Sequence, residues 1–433
     1  MTADRPRVAV TGLGLVTPLG HDAPSTWRAL LAGRSGVAPI TLFDAGGFPV
    51  RIAAEVKGFD PRARVDDRRL LRLAGRAHGF ALVAADEAVV DAGIRPDAAS
   101  AARWGCVVGS GMLGVEFSSL VDFHSRYAPQ GELEPERLFA AQASRLDPIA
   151  FQRCHPSAGL ALLLERFGIR GHAASVHTAC ASGGQAIGMG LDLIRRGACD
   201  RVLAGGFDSM VSPVGLGGFC LLGALSPDNR APERASRPFD RTRNGFVLGE
   251  GAGFVVLEEW RAATARRATI YAELAGQGSS LTGYRITDPH PSGDGPIQAM
   301  RRALADARAV PGELDYVNAH GTSTPMNDRS ECAALHAVLG SEAARVAVSS
   351  TKSLMGHLIS AAGAVEAGLC ALAIRDSLLP VNANLAARDP ECDLSFVEGE
   401  PRRLRVRLAL SNSFGFGGSN SCLALRRPEE ARP

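Results

Sequence analysis

No stretch of this sequence approaches the roughly 18 consecutive apolar residues that a membrane-crossing helix requires, so a bilayer span of that kind is excluded. The start, Met1-Thr-Ala-Asp-Arg-Pro6, lacks the charged-then-apolar layout of a secretory leader. The nine cysteines are odd in number, scattered, and never spaced Cys-x-x-Cys. Neither a disulfide framework nor a zinc site is expected, and no metal is assigned. A reduced, cytoplasmic setting follows as the expectation. Charge of one sign is missing too: 47 Lys plus Arg stand against 45 Asp plus Glu, a net of +2, which offers little to a nucleic acid.

With 433 residues and 46% hydrophobic content, the chain can bury a large core, as two domains or two fused halves. Its centre of interest is Ser175-Val-His-Thr-Ala-Cys-Ala-Ser-Gly-Gly-Gln-Ala-Ile-Gly188. Ala173 to Thr178 reads as a short strand, and Ile187, Leu191 and Ile194 recur at helical spacing. Cys180 therefore sits where a helix begins, and the helix dipole with its free N–H groups is expected to favour its thiolate. The glycines at 183, 184, 188 and 190 weaken that helix, which suggests close approach by a backbone or a substrate.

Upstream, Val8 to Gly20 puts a glycine pair after a strand. Thr17-Pro18-Leu19-Gly20 interrupts the place where a dinucleotide-binding helix would start, and no acidic residue closes a second strand. The segment is read as a strand, Arg7 to Thr11, entering a tight turn. Pro61 to Arg72 carries Arg62, Arg64, Arg68, Arg69 and Arg72 against Asp66 and Asp67: a solvated face, or a docking patch for an acidic partner. Ala77 to Gly93 is an alanine-rich core helix, Arg103 to Met112 a strand ending in a glycine turn, and the polar run Ala128 to Pro148 a surface excursion.

The second half repeats the first. Asp315 to His320 is a strand ending at Gly321-Thr-Ser-Thr324, and Arg345 to Ser350 is a strand followed by a turn and a long apolar helix from about His357 to Asp376. The element from Arg345 is the counterpart of the one bearing Cys180. The βαβα order points to mixed sheets covered by helices, divided at residues 1–265 and 266–433. His320 and His357 fall on equivalent loops of such halves, and with a cysteine on a third they suggest nucleophilic chemistry. Glu366, on one stripe with Ala362 and Cys370, needs a cation inside an apolar helix, and Lys352 is the candidate. Asn412-Ser-Phe-Gly-Phe-Gly-Gly-Ser-Asn420 suits a backbone-lined wall with a movable aromatic gate.

Taken together, Val10 to Gly14, Thr178-Ala-Cys-Ala-Ser-Gly183, Pro238-Phe-Asp-Arg241 with Gly245 to Gly251, Asn318-Ala-His-Gly-Thr-Ser-Thr324, Lys352 to His357, and Asn412 to Asn420 resemble the β-ketoacyl-acyl carrier protein synthases of the elongating Cys-His-His kind. The resemblance spans nearly the whole chain. It implies an α/β thiolase-like fold, two pseudo-symmetric halves with mixed β-sheets in layered α-β-α-β-α packing, Cys180 in the first half and both histidines in the second.

The resemblance further implies that Cys180 accepts an acyl chain from a phosphopantetheine thioester on an acyl carrier protein, and that His320 and His357 bind the malonyl thioester and promote loss of CO2. Lys352, Glu366, Asp328 and Glu331 would form one charged network behind them. Cys180 and Phe414 would supply oxyanion-hole N–H groups, and Phe414 would gate the site. Thr322 and Thr324 would hold the pantetheine arm, Met112 and Phe416 would border the substrate, and Arg68 and Arg69 would dock the carrier. No cofactor is implied beyond the carrier's own pantetheine, and a homodimer, or a heterodimer with a related subunit, is. Asn244, where aspartate is usual, and His177, where small or apolar residues are usual, depart from the pattern. A non-catalytic partner resembling chain-length factors is the alternative, opposed by Cys180. A thiolase acting on coenzyme A esters and a nicotinamide oxidoreductase fit less well.

Overall fold

The computed structural model describes residues 5–111, 116–128, 130–132 and 147–428. Met112 and most of the polar run, residues 133–146, lie outside them. The backbone is ordered around an eleven-stranded mixed sheet. In chain order its strands are β1 Val8–Val16, β2 Trp104–Ser110, β3 Ala173–Val176, β4 Arg201–Ser209, β5 Glu250–Glu259, β6 Ala272–Leu281, β7 Tyr316–Asn318, β8 Ala347–Ser349, β9 Ser395–Phe396, β10 Leu408–Phe414 and β11 Ser419–Arg426.

A repeat is visible in the strand order. The first half runs β1-β5-β4-β2-β3 and the second β6-β11-β10-β7-β8, with β9 added at the edge. Pairing matches as well: β2 is parallel to β3 and β4, β5 antiparallel to β4 and β1; β7 is parallel to β8 and β10, β11 antiparallel to β10 and β6. The counterpart of β3, which leads to Cys180, is therefore β8, as the sequence suggests. Separate sheets would be the simpler picture of two halves, but Ala9 opposite Glu273 and Val10 opposite Ala272 stitch β1 to β6.

The strand β1 continues past the expected turn at Thr11 to Val16, with a register shift between Val10 and Gly12 against β5. Helix α1, Arg76–Ala92, explains this. A Cβ on Gly12 would lie 2.1 Å from the Ala88 carbonyl oxygen, and one on Gly14 1.8 Å from that of Ala84. The glycines let a helix lie directly on the strand.

Two helices, α2 Ser182–Arg195 and α3 Ala362–Asp376, share a buried core with residues from both halves. Every residue of α3 from Ala362 to Ile374 is buried. The second core packs α1 and Ala158–Phe167 on the first half, and the third packs Asp294–Asp306 and Pro325–Leu339 on the second. Helix, sheet, helix, sheet, helix is the resulting layering. Where α2 meets α3, a Cβ on Gly183 would lie 2.8 Å from the Ser360 carbonyl oxygen and one on Gly363 2.8 Å from the Gly184 nitrogen. The close backbone approach anticipated for the α2 glycines is this crossing at Gly183 and Gly184, whereas Gly188 and Gly190 face the side chains of Gln277 and Leu257 on the sheet.

Candidate active site

Cys180 stands in a single 3-10 turn, Ala179–Ala181, between β3 and α2. The turn forms because Ala179 takes a left-handed backbone, φ 50°, which aims the next side chain into a cavity of about 1490 Å³. Its lining includes Cys180, His320, His357, Phe414 and Phe416. Cys180 is 5% exposed, and burial pushes its thiol up to about 12, against the opposing pull of Lys352 and a backbone hydrogen bond from Phe416. The expectation of a stabilised thiolate is thus corrected: desolvation exceeds what one short helix start offers.

The two histidines meet across the second half. Their ring centroids are 5.3 Å apart at an interplanar angle of 83°. His357 precedes rather than begins the long helix, because Gly356 (φ 68°) ends the short helix Lys352–Met355 and α3 starts only at Ala362. Its Nδ1 accepts the Ile359 N–H at 3.2 Å, which leaves Nε2 as the N–H of the neutral ring. Burial holds both imidazoles well below their usual range, with Lys352 adding to the effect on each. Two neutral rings in a cavity are hydrogen-bond donors without a metal.

Lys352 is one of two lysines in the chain. It is 1% exposed and its Nζ bonds Glu366 Oε1 inside the apolar layer. The pairing inferred from the stripe on α3 is the one formed. Burial raises the Glu366 carboxyl to about 7 although Lys352 opposes the shift.

The glycine-rich loop closes the nucleophile's side. A Cβ on Gly415 would lie 3.2 Å from the Cys180 nitrogen, so the loop backbone runs against the elbow. Phe414 ends β10 opposite Asn420 and packs its ring 5.6 Å from that of His320. Phe416, one turn on, is half-buried, and its backbone bonds the thiol. Gly417 and Gly418, at φ 77° and 80°, let the chain double back there.

Known proteins match this chain over nearly its whole length. A model of the β-ketoacyl synthase N-terminal domain matches residues 5–263 and one of the C-terminal domain residues 271–386. The 3-oxoacyl-[acyl-carrier-protein] synthase 2 of Coxiella burnetii is 42% identical over 424 residues, 98% of this chain and 99% of that one. The chain belongs to the β-ketoacyl synthase family. Among solved structures, a type II polyketide synthase acyl-carrier protein in complex with its ketosynthase bound to the hexaketide aligns at TM-score 0.87 and 30% identity, covering 98% of this chain and 100% of that one. The ishigamide ketosynthase/chain length factor aligns at 0.86 and 35%, covering 98% and 99%. These ketosynthase neighbours carry the thiolase-like fold anticipated for this chain.

The remaining residues singled out for a synthase of this family fall in three places. Thr322 and Thr324 line the same cavity, their hydroxyls 2.9 Å apart. Arg68 and Arg69 open a short exposed helix, Arg68–Leu73, capped by Asp67. The expected single network behind the histidines is divided: Glu331 accepts the backbone N–H groups of His320 at 2.9 Å and Gly321 at 2.8 Å, whereas Asp328 faces Arg243 at 3.3 Å and accepts the Phe239 N–H. Glu331 fixes the histidine loop, and Asp328 fixes the Pro238-Phe-Asp-Arg loop. Asn244 lines the cavity and accepts the Ser226 hydroxyl at 2.7 Å. His177 lines it beside the nucleophile.

Sequence reasoning missed Arg243, Asp208, His78 and Arg153. Asp208, next to the last residue of β4, lines the cavity and accepts the Ser360 N–H at 3.1 Å; burial raises its carboxyl to about 6. An acid after Gly205-Gly206 at a strand end was the available signal for it.

Proposed function

We propose that this chain is a condensing enzyme that extends an acyl chain with a malonyl unit, both presented on acyl carrier protein. The Cys180 sulfur attacks the acyl thioester carbonyl, forming the enzyme thioester and releasing the carrier's thiol. The malonyl thioester then loses CO2, and the enolate carbon attacks the bound acyl carbonyl. The Cys180 sulfur leaves with the electron pair, and a β-ketoacyl thioester departs on the carrier. Since the thiol is protonated at rest, acylation requires proton removal, and the neutral imidazoles are the bases at hand. His320 and His357 then donate to the enolate oxygen.

The convergence of one thiol and two neutral imidazoles in one cavity carries this reading. We assign the second oxyanion donor to the Phe416 N–H, beside that of Cys180, and the gate to the Phe416 ring, in place of Phe414, because Phe416 is the residue whose amide reaches the sulfur. Residues 1–265 would hold the acyl group and 266–433 the decarboxylating groups. The pantetheine comes with the carrier, so no further cofactor is invoked. A second copy, or a related subunit, suits the open edge of β3 and the exposed Phe117, Val121 and Phe123. Nine free thiols fit a reducing, cytoplasmic setting.

Incubation with acyl and malonyl carrier proteins, followed by mass measurement, tests the reading. Acyl mass on Cys180 and a product two carbons longer are expected; a Cys180→Ala variant that still elongates would refute it. Cys180→Gln should release CO2 without condensing. The chain-length-factor alternative, suggested by neighbours whose names include a chain length factor, predicts no acyl mass at all.

A further inference from the structure

The cavity that holds the nucleophile is lined also by Ser110, His177, Gly75, His78, Glu116 and Arg153. This part of its wall is not the plain hydrocarbon sleeve that a saturated chain would fill. His78 is 2% exposed. Its Nδ1 accepts the Gly75 N–H at 3.1 Å, and burial with the nearby Arg153 charge holds the ring neutral, down to about 4, so the proton resides on Nε2. That N–H is buried and has no acceptor among the described residues. Arg153 bonds Glu116 Oε1 at 3.2 Å through Nη1 and the Arg72 carbonyl at 2.8 Å through Nη2, while its buried Nε–H also lacks an acceptor among them. The two are linked through Glu116: a Cβ on Gly75 would lie 3.6 Å from His78 Nδ1 and 3.9 Å from the Glu116 Oε1 that Arg153 bonds, and the Arg153 charge acts on the His78 ring.

Two buried donors without acceptors are costly to keep. Both lack the same thing, an oxygen. Charge narrows the choice of oxygen. Arg153 is opposed by Glu116, Arg76 is held by Glu250 at 2.5 and 2.8 Å, and Asp208 adds a carboxyl to the cavity lining. No uncompensated cation remains for a carboxylate among these groups. His177 adds nothing to the donor count, since its Nδ1 meets the Ser110 carbonyl at 3.1 Å and its Nε2 the Ser175 hydroxyl at 2.9 Å.

Building on the condensing reading, we propose that His78 and Arg153 select acyl chains that carry a neutral oxygen, a ketone, along their length, over fully saturated chains. Both act as specificity-determining residues on the chain being extended, away from the reacting carbons.

The test is the first half-reaction. Carrier-bound chains of one length, saturated, bearing a single ketone at successive carbons, or ending in a carboxylate, are offered to the enzyme, and the rate at which their mass appears on Cys180 is recorded. One ketone position should load at least about 10-fold faster than the saturated chain. Arg153→Met and His78→Leu should each remove that advantage while loading the saturated chain as before, and His78→Gln, which keeps an N–H, should retain most of it. Arg153→Met alone suffices should His78→Leu fail to fold. A saturated or carboxylate-ended chain loading fastest, or a ketone preference untouched in the variants, overturns the proposal. Absence of any adduct on Cys180 overturns the condensing reading itself, and this one with it.

Discussion

Ala179 and Ile359 hold the same left-handed backbone, φ 50° and 49°, one residue before Cys180 in the first half and Ser360 in the second. Each opens a single 3-10 turn that feeds a buried helix. For a β-branched residue that conformation costs roughly 1–2 kcal/mol, so the surrounding packing fixes the elbow even where no nucleophile uses it. In the second half the elbow's N–H is taken by Asp208, and in the first it is left to the cavity.

The helix crossing beneath both elbows should tolerate no added atom. Gly183→Ala would set a methyl 2.8 Å from the Ser360 carbonyl and 2.9 Å from the Ala364 nitrogen. A loss of about 1–3 kcal/mol is expected, read as a lower denaturant midpoint at unchanged slope.

Neutral histidines predict a flat acid limb. Because burial and Lys352 hold both rings below their ordinary range, CO2 release by Cys180→Gln should stay constant from about pH 8 to about pH 6. Ordinary imidazoles of pKa about 6.5 would lose most of their neutral form over that interval. His357→Gln should slow release by about 100- to 1000-fold.

Glu87, on α1, ties β1 to the helix Ala23–Leu31 by accepting the N–H groups of Leu15 and Ala23, each at 2.8 Å, yet burial raises its carboxyl to about 7. A raised acid binds more protons folded than unfolded, so its contribution is present below about pH 4.5 and is lost as pH climbs through about 7. Glu87→Gln should flatten that part of the stability curve, by up to about 3 kcal/mol, in unfolding measured across the range.

Two phenylalanines of one loop should separate. Phe414→Ala removes a ring that is 8% exposed and packed on His320, so about 3–5 kcal/mol of stability should go. Phe416→Ala keeps its amide and should cost less than about 1.5 kcal/mol while altering the rate of Cys180 acylation, measured by intact mass.

Replacing Arg68 and Arg69 by glutamate should raise the apparent KM for carrier-bound substrate about 10-fold and abolish its salt dependence. Turnover of short pantetheine thioesters should be unaffected, which separates docking from chemistry.

The motifs proposed to carry chemistry were legible because each is local: an elbow, a strand-end histidine, a charge on an apolar stripe. What was not legible depended on distant packing. The reach of β1 to Val16 needs the α1 backbone lying on Gly12 and Gly14. The resemblance set Asp328 in one charged network with Lys352, Glu366 and Glu331, whereas folding places Arg243 beside it. Spacing could not decide whether Phe414 or Phe416 turns its amide to the sulfur, and the dipole argument for Cys180 omitted the water that burial removes. His78 and Arg153 are 75 residues apart in sequence by simple subtraction of their numbers, and nothing local in either announced a shared wall.

The central placement of β1, between β5 and β6, has a consequence for biogenesis. This strand leaves the ribosome long before residues 250–281, which cover both its edges, so nascent chains carry an apolar ribbon with both sides open. Such long-range pairing folds slowly and invites aggregation, and shielding of the nascent segment by chaperones should govern how much active protein a cell recovers.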